Sequence, residues 1–484
     1  MQPLVSFLIW VVLGVTPQQR AVAAVEKAII AMGGTQKLAA IKRIQRELVG
    51  TRPDPGQGES PARPDDAPVR EILAREGSSK VADLLDLLIR GGLRLHFRSV
   101  SDGQEGFSVN YENNTLTTFP SARSTPFLQG VLRRFPEQLL LNTQRRPEAL
   151  RWLGTETING RKYEVVAYGD LDGEVVDLYF DAATHDLARV RRLNDDPVRG
   201  DAPVTTIYTR YQSIQGFRFP TRIIGLQGAD MVSDVAVGRL VIDAVEDSLF
   251  DKPAGLPIVA AADPKPRLES LGSDVYLVKG SYNAAFVVFD DYVLVLEAPI
   301  SSSYQEGVID LIRGVAPDKP IRYVVATHFH YDHLGGVRPY IARHATMVTT
   351  SAAAQVIRRL SAQSHTLRPD TLSEAPVPPT IDIVRERRSF RDAHHAVDII
   401  VMRNMPHVAE IIVAYIPALK LLFQGDLYDS YALEEVPATN DGEALLRWLP
   451  GSGLDVEQVV PVHGPKAPVP LQALARAHAL RQRR

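Results

Sequence analysis

Three histidines and an aspartate lie within six consecutive positions of the sequence, in the stretch THFHYDHLGG at residues 327–336. The chain has twelve histidines in all, and ten of them lie from residue 328 onward. Crowded imidazoles repel one another when protonated, and each ring nitrogen needs a partner. Neutral imidazole and carboxylate are good ligands for Zn²⁺. The stretch therefore predicts a metal site.

The segment that precedes these residues has the composition of a buried strand, since IRYVVA at residues 321–326 is apolar almost throughout. Open α/β sheets place their sites at the carboxyl ends of strands. Gly335 and Gly336 then permit a tight turn into the next helix. In such a turn His328 and His330 can point to one place and Asp332 and His333 to another, as a two-metal site requires.

The order His-x-His-x-Asp-His resembles the signature of the metallo-β-lactamase superfamily, and the resemblance extends over roughly residues 268–470. It implies three further ligands, and the sequence supplies them in the family's order: His407 in NMPHVAEIIVAYI, Asp426 in KLLFQGDLY and His463 in EQVVPVHGP. The resemblance implies that one ion is held by His328, His330 and His407, and a second by Asp332, His333 and His463. Asp426 then bridges both. Two Zn²⁺ ions are expected, with Fe or Mn as alternatives.

Other residues near the motif are candidates for supporting roles. Glu297 stands where the family more often has a shorter acid, and we expect it to support the site without binding metal. Asp332 is expected to take up a proton during the reaction. Candidate donors to a substrate oxygen are Tyr331, Tyr428 and Tyr431. His394 and His395 compete with His407 for the third position, but their charged surroundings favour a solvated loop.

Two ions about 3.5–4 Å apart can share a hydroxide that attacks an acyl or phosphoryl centre. The chain has no cysteine, so neither a thiolate nucleophile nor a thiolate ligand is available. The predicted function is a dinuclear-metal hydrolase whose bridging hydroxide cleaves an ester, lactone or thioester of a small molecule. The resemblance favours this over β-lactam cleavage, because true lactamases usually have cysteine or serine at the place of Asp426. Alternatives are a β-lactamase, phosphodiesterase, sulfatase or di-iron oxidoreductase of the same superfamily.

The predicted fold class is an α+β N-terminal domain dominated by an antiparallel sheet, followed by the four-layer αβ/βα sandwich that the resemblance implies. The predicted boundaries are 24–250 for the first domain, 251–267 for a proline-rich linker and 268–484 for the second domain. Within the first domain, residues 25–48 are predicted to be helical and 51–68 to be a flexible excursion. A helix or buried segment is predicted to resume at VADLLDLLIRGGLRL, residues 81–95.

Short β-branched runs with turn signals predict antiparallel strands from about Gly154 to Asp247. Two of these stretches, YFDAATHDLARVRR and YQSIQGFRFPTRI, resemble the half-barrel of the outer-membrane lipoprotein carriers. The second hypothesis for the whole chain is accordingly a periplasmic protein that binds a lipid or another apolar ligand, with an accessory metal domain. An apolar concavity in residues 25–250 would distinguish this hypothesis from a hydrolase with a scaffold domain.

The charge balance and the N-terminus bear on partners and location. With 54 basic and 57 acidic residues, the chain has no excess of positive charge that would favour nucleic acid. Residues 4–15 form an apolar run of the length of a signal-peptide core, and Ala21-Val22-Ala23 offers a cleavage site. Residues 1–23 are therefore predicted to be a secretory signal that directs a periplasmic or secreted protein. An uncleaved membrane anchor and a buried N-terminal helix are the alternatives.

Overall fold

The computed structural model describes residues 16–54, 56–89, 94–260, 265–428, 438–464 and 466–482. The predicted signal core at residues 4–15 and Tyr431 lie outside the described residues. Among the described helices, none is long and apolar enough to cross a membrane.

The N-terminal half is built on one antiparallel sheet, to which thirteen strands of the described ranges contribute. The strands are Arg43–Asp54 (β1), Asp65–Glu76 (β2), Lys80–Leu88 (β3), Arg94–Ser101 (β4), Gly106–Asn110 (β5), Thr115–Phe119 (β6), Leu150–Ile158 (β7), Arg161–Gly169 (β8), Val175–Asp181 (β9), Leu187–Asp196 (β10), Gly200–Ile214 (β11), Phe217–Gln227 (β12) and Asp230–Ile242 (β13). The order of strands across the sheet is β6 to β1, followed by β13 back to β7. Strands β1 and β13, the first and last in the chain, therefore pair near the middle of the sheet.

Helices cover one face of this sheet. They are Pro17–Met32 (α1), Thr35–Ala40 (α2), Ser121–Leu132 (α3) and Pro136–Arg145 (α4), with short 3₁₀ turns at Pro147–Ala149 and Asp247–Leu249. A capping box at Thr16 begins α1, and its buried side chains pack on apolar residues of the sheet. The structure confirms a large antiparallel sheet in this half and extends it well before residue 154.

A buried ion network ties α4 to the sheet. Glu137 on α4 accepts hydrogen bonds from Arg46 of β1, with an Nη2–Oε2 distance of 2.5 Å, and from Arg75 of β2, with an Nε–Oε1 distance of 3.2 Å. All three side chains are at most 1% exposed. Each charge is therefore satisfied only by the others and by nearby carbonyl groups.

The C-terminal half contains two further sheets. Seven strands form the first: Arg267–Gly272 (β14), Val275–Lys279 (β15), Ala284–Val288 (β16), Val293–Leu296 (β17), Ile321–Val325 (β18), Thr346–Thr349 (β19) and Thr380–Ile383 (β20). Six strands form the second: Arg387–Arg391 (β21), Ala396–Arg403 (β22), Glu410–Ile416 (β23), Leu421–Gln424 (β24), Gln458–Pro461 (β25) and Val469–Pro470 (β26). These counts refer to the described ranges.

The helices of this half are Ser302–Val315 (α5), Tyr331–Leu334 (α6), Arg338–Ala342 (α7), Ser351–Ser361 (α8), Thr371–Glu374 (α9), Asn440–Ser452 (α10) and Leu471–Gln482 (α11), with a 3₁₀ turn at Pro417–Leu419. Strand β17 is buried on both faces: Val293 and Val295 pack against the helices, while Leu294 and Leu296 pack against the second sheet. The predicted sandwich of helices, sheet, sheet and helices is thereby confirmed.

Three predictions about the N-terminal half are wrong in whole or in part. Residues 25–32 and 35–40 are helical as predicted. Residues 43–48 belong to β1, and residues 81–88 belong to β3, because both segments pair with β2 along their length. Residues 51–68 are not a free excursion, since β1 and β2 pair from Arg43 with Glu76 to Asp54 with Asp65. Only a short loop is left at the tip of this hairpin, and it contacts the second domain.

Two segments near the boundary of the domains make defined hydrogen bonds: the described part of the proline-rich stretch and the connection between β10 and β11. Within the proline-rich stretch, Val259 donates a backbone hydrogen bond to Leu116 of β6 at 2.8 Å. The turn between β10 and β11 also docks on the second domain, where Asp201 accepts hydrogen bonds from Thr366. His365 is buried there against Asp195, with an Nδ1–Oδ1 distance of 3.0 Å.

The predicted cleavage site lies inside a helix. Ala21 to Ala23 belong to the first half of α1, and Ala21 is fully buried. Cleavage after Ala23 would remove the capping box and this buried contact. Export stays a prediction.

Candidate metal centre

The candidate ligands come from strand ends that meet at one edge of the sandwich. Strands β17 and β18 are parallel neighbours in one sheet, and β24 and β25 are parallel neighbours in the other. Their carboxyl ends lead respectively to Glu297, to the histidine motif, to Asp426 and to His463. His407 follows β22 in the turn before β23. Five separate segments therefore converge on one place.

The structure brings all seven predicted metal residues together in two groups that share Asp426. One group is His328, His330, His407 and Asp426; the other is Asp332, His333, Asp426 and His463. Within each group the ligand atoms lie within 4.8 Å of one another. This arrangement matches the division that the resemblance implied, including the bridging position of Asp426.

The first group presents buried ring nitrogens that make no hydrogen bond. They are His328 Nε2, His330 Nδ1 and His407 Nε2. Buried polar atoms are normally satisfied. Three such nitrogens aimed at one carboxylate, with His407 Nε2 3.1 Å from Asp426 Oδ2, fit a cation.

The second group has the spacing of a coordination polyhedron. His333 Nε2 lies 3.1 Å from His463 Nε2 and 3.0 Å from Asp426 Oδ1, and His463 Nε2 lies 3.3 Å from Asp332 Oδ2. An ion with bonds of about 2.1 Å in a tetrahedron separates its ligand atoms by about 3.4 Å. The residues present therefore fit a second ion at this place.

The electrostatics of the two groups differ. Burial and neighbouring imidazoles lower the pKa of His328, and burial lowers the pKa of His330 to about 3. Burial also opposes a charge on His463, but Asp426 and Asp332 outweigh it and raise its pKa to about 9. His328 and His330 are thus neutral imidazoles, whereas Asp426 raises the pKa of His407 in the same group and the carboxylates of the second group favour positive charge beside them.

Glu297 supports the histidines, as predicted for a residue that does not bind metal. Its carboxylate accepts hydrogen bonds from Thr327 Oγ1 at 2.6 Å and pairs with His333 Nδ1 at 3.2 Å. Thr327 Oγ1 also lies 3.0 Å from His328 Nδ1. The outer nitrogens of two histidines are thereby fixed, which directs their Nε2 atoms into the centre. Glu297 is fully buried with φ of 77°, a strained conformation typical of functional sites.

Close packing, and not a left-handed backbone conformation, explains why a glycine follows the motif at residue 335. Gly335 has φ of −59°, a conformation open to any residue. A Cβ atom there would lie 2.3 Å from the carbonyl oxygen of Ile300. The motif is therefore held directly against the loop that follows Glu297.

The tyrosines are placed differently from the prediction. Tyr331 lies in the domain interface, where its hydroxyl pairs with Arg359 and its ring contacts Arg199 at 4.6 Å. Tyr428 is buried in the hydrophobic core. Sequence reasoning missed Tyr282, whose ring meets the ring of His463 edge-on at 4.3 Å. Burial and the charges of Asp332 and Asp426 raise its pKa, so its hydroxyl keeps its proton. No local signal marked this residue.

His394 and His395 lie outside the centre, as the prediction favoured. His395 forms a separate group with Asp290 and Asp392, and its ring nitrogens bond to Asp392 at 2.9 Å and to Asp274 at 3.1 Å. These contacts satisfy the imidazole without a metal ion.

The N-terminal sheet carries a groove of about 390 Å³ that bears on the lipid hypothesis. Its walls include four arginines and two aspartates: Arg161, Arg189, Arg210, Arg218, Asp181 and Asp186. Apolar and aromatic side chains, among them Ile207, Tyr163 and Tyr208, complete the walls, so the groove is not the wholly apolar concavity that the lipid hypothesis predicts. The resemblance to lipoprotein carriers stays a prediction.

Comparison with known proteins identifies the family of the second domain. Residues 277–438 match the model of the "Metallo-beta-lactamase superfamily". A search of curated proteins finds no match. Similar solved structures include metallo-beta-lactamases from Pontibacter korlensis (18% identity, 46% of this chain, 100% of that chain, TM-score 0.35) and Hirschia baltica (15%, 45%, 97%, 0.33), and the mono-zinc form of one from Pseudomonas aeruginosa (16%, 46%, 96%, 0.34). With its two sheets, its motif order and this family match, the chain carries a domain of the metallo-beta-lactamase superfamily.

Proposed function

We propose that the protein is a hydrolase that uses two divalent metal ions, taken to be zinc, to cleave a carboxylic ester, lactone or thioester of a small molecule. The single observation that carries the proposal is the pair of four-residue groups that share Asp426. Two ions held in this way would lower the pKa of a water molecule and polarise a substrate carbonyl.

The protein groups have distinct tasks in this proposal. His328, His330 and His407 would hold the first ion, and Asp426 spans the two places with one oxygen toward each group. Asp332 has its Oδ2 atom toward the second group, so this carboxylate can take up the proton of the attacking water. Tyr282, with its hydroxyl kept protonated, is placed beside the second group to donate a hydrogen bond to a substrate oxygen. We propose this role for Tyr282 in place of Tyr331.

The preference for acyl substrates rests on Asp426. Asp426 would hold two ions close together and offset part of their charge, and the second ion would supply positive charge for a leaving alkoxide or thiolate. Opening a β-lactam instead releases a nitrogen that needs a proton or a separate partner. The family resemblance points the same way, since lactamase branches usually carry another residue at this position.

The test is a comparison of kcat/KM for zinc-loaded protein across esters, lactones, thioesters, phosphodiesters and β-lactams. The proposal predicts the highest value for an ester, lactone or thioester, and at least about a 10²-fold loss for Asp426→Ala. A higher kcat/KM for a penicillin or carbapenem than for every acyl substrate would contradict it. So would activity in Asp426→Ala equal to that of the wild type.

A further inference from the structure

The tip of the β1–β2 hairpin, residues 56–59, reaches the metal centre from the other domain. Four consecutive residues each make one hydrogen bond there. Gly56 O accepts from Tyr331 N at 3.2 Å, and Glu59 O accepts from Ala409 N at 3.1 Å. Between them, Gln57 Nε2 donates to Asp332 Oδ1 at 2.7 Å, and Gly58 O lies 2.9 Å from His330 Nε2. The tip is thus docked on the histidine motif through residues 56–58 and on the turn that contains His407 through Glu59.

The fit between the loop and the motif is close. A Cβ atom on Gly56 would lie 2.6 Å from the ring of Tyr331, so only glycine allows this approach. The amide of Gly56 is itself held by Asp54 Oδ1 at 2.8 Å. The paired strands behind the loop and these contacts in front of it fix the position of Gln57.

The contact of Gly58 determines which nitrogen of His330 faces the centre. A backbone carbonyl only accepts hydrogen bonds, so it requires a proton on His330 Nε2. The deprotonated Nδ1 atom is then the one that points into the first group, where it has no protein partner. The N-terminal domain therefore orients one ligand of the first group.

The contact of Gln57 divides the two oxygens of Asp332 between different tasks. Oδ2 faces the second group, 3.3 Å from His463 Nε2 and 3.6 Å from His333 Nε2. Oδ1 accepts a hydrogen bond from the side-chain amide of Gln57. Without this donor, the carboxylate could rotate and present either oxygen.

We propose that Gln57 is a positioning residue for the second metal ion, and that the hairpin tip makes the N-terminal domain a structural part of the metal centre. The domain supplies an outer partner to one ligand of each group: the Gly58 carbonyl to His330 and the Gln57 carboxamide to Asp332. Outer partners of this kind typically contribute about 10–100-fold to metal affinity.

The experiment measures Zn²⁺ affinity for the first and second ion by competition with a chromophoric chelator, using the full chain. Gln57→Ala is expected to weaken the second ion by about 10–100-fold and to change the first by less than about threefold. Gln57→Glu, which keeps the length but replaces the donor by an acceptor, is expected to weaken the second ion at least as much. Gly56→Ala displaces the whole tip and is expected to weaken both ions.

Arg63→Ala is the matched control, because this side chain follows the tip in the same β1–β2 connection, is 77% exposed and forms an ion pair with the side chain of Glu59 at 3.6 Å. It should bind both ions as the wild type does. Metal-free Gln57→Ala should also stay folded, with an unfolding temperature within a few degrees of the wild type, because Gln57 is a half-buried polar residue outside the hydrophobic core. Wild-type affinity for the second ion in Gln57→Ala, or an equal loss of both ions, overturns the inference.

The inference rests on the two-ion site of the proposed function. The experiment can nevertheless contradict the proposed function or the role of Gln57 independently. Wild-type protein that binds fewer than two ions contradicts the proposed function. Wild-type protein that binds two ions, together with a Gln57→Ala variant of unchanged affinity, contradicts only the role of Gln57.

Discussion

Glu297→Gln should weaken the second metal ion selectively. The carboxylate accepts from Thr327 at both oxygens, with distances of 2.6 Å from Oγ1 and 3.3 Å from the backbone nitrogen, and it pairs with His333 Nδ1. A carboxamide has only one accepting oxygen. If that oxygen faces His333 Nδ1 and Thr327 Oγ1, the amide group meets the donor Thr327 N and His333 loses its charged acceptor. If the oxygen faces Thr327 N, the amide group faces His333 Nδ1, and two donors meet there. The alternative tautomer relieves this conflict but places a proton on His333 Nε2, the atom that should bind the ion.

The size of the effect follows from the bond that is lost. A hydrogen bond to a charged group contributes about 1.5–3 kcal/mol, and 1.4 kcal/mol corresponds to a tenfold change in affinity. The second ion should therefore bind about 10–100-fold more weakly. The first ion should be affected less, because His328 keeps its contact with Thr327.

The assay is chelator competition with Zn²⁺ on full-length protein. Glu457→Gln is the matched control, since this glutamate is 60% exposed and pairs with Lys420 at the opposite end of β25 from His463. It should leave both affinities unchanged. If Glu297→Gln binds the second ion within about twofold of the wild-type affinity, the reasoning about His333 is refuted.

Three further predictions concern the rest of the molecule. Glu137→Gln leaves the two buried arginines without their anion and should lower the free energy of unfolding by about 3–5 kcal/mol in urea titrations; a loss below about 1 kcal/mol would contradict this. Burial and the neighbouring charge of Glu71 raise the pKa of Asp83 above its value in the unfolded chain. Because the folded state favours the protonated acid, the free energy of unfolding of the wild type should fall as the pH rises from about 4 to neutrality. Asp83→Asn should remove this fall and be more stable relative to wild type at pH 8 than at pH 5, whereas parallel pH–stability curves would contradict it. Tyr282→Phe should lower kcat by about tenfold or more at unchanged zinc content, and an unchanged kcat would exclude its hydroxyl from the reaction.

The metal residues could be predicted from the sequence because their signal is local. Each candidate follows an apolar strand, and the order of the motif restricts where its distant partners can lie. His407, Asp426 and His463 were found in this way, and the structure brings them to the motif. The sandwich followed from the same alternation of apolar strands and amphipathic helices.

The N-terminal domain could not be predicted in the same way. The leucine-rich segment at residues 81–88 has good helix formers, and its pairing with β2 and β4 overrides that preference. The loop at residues 56–59 is rich in glycine and polar residues, which in isolation indicates flexibility. Gln57 and Asp332 are 275 residues apart in the chain, so no local pattern could reveal their contact.

Metal content tests the central claim most directly. Protein loaded with excess Zn²⁺ and then freed of unbound metal should contain about two ions per chain by elemental analysis, because the seven residues form two groups that share Asp426. His328→Ala should lose the first ion while retaining most of the second. At most one ion per chain in fully loaded wild-type protein would contradict the shared position of Asp426 and the hydrolase proposed from it.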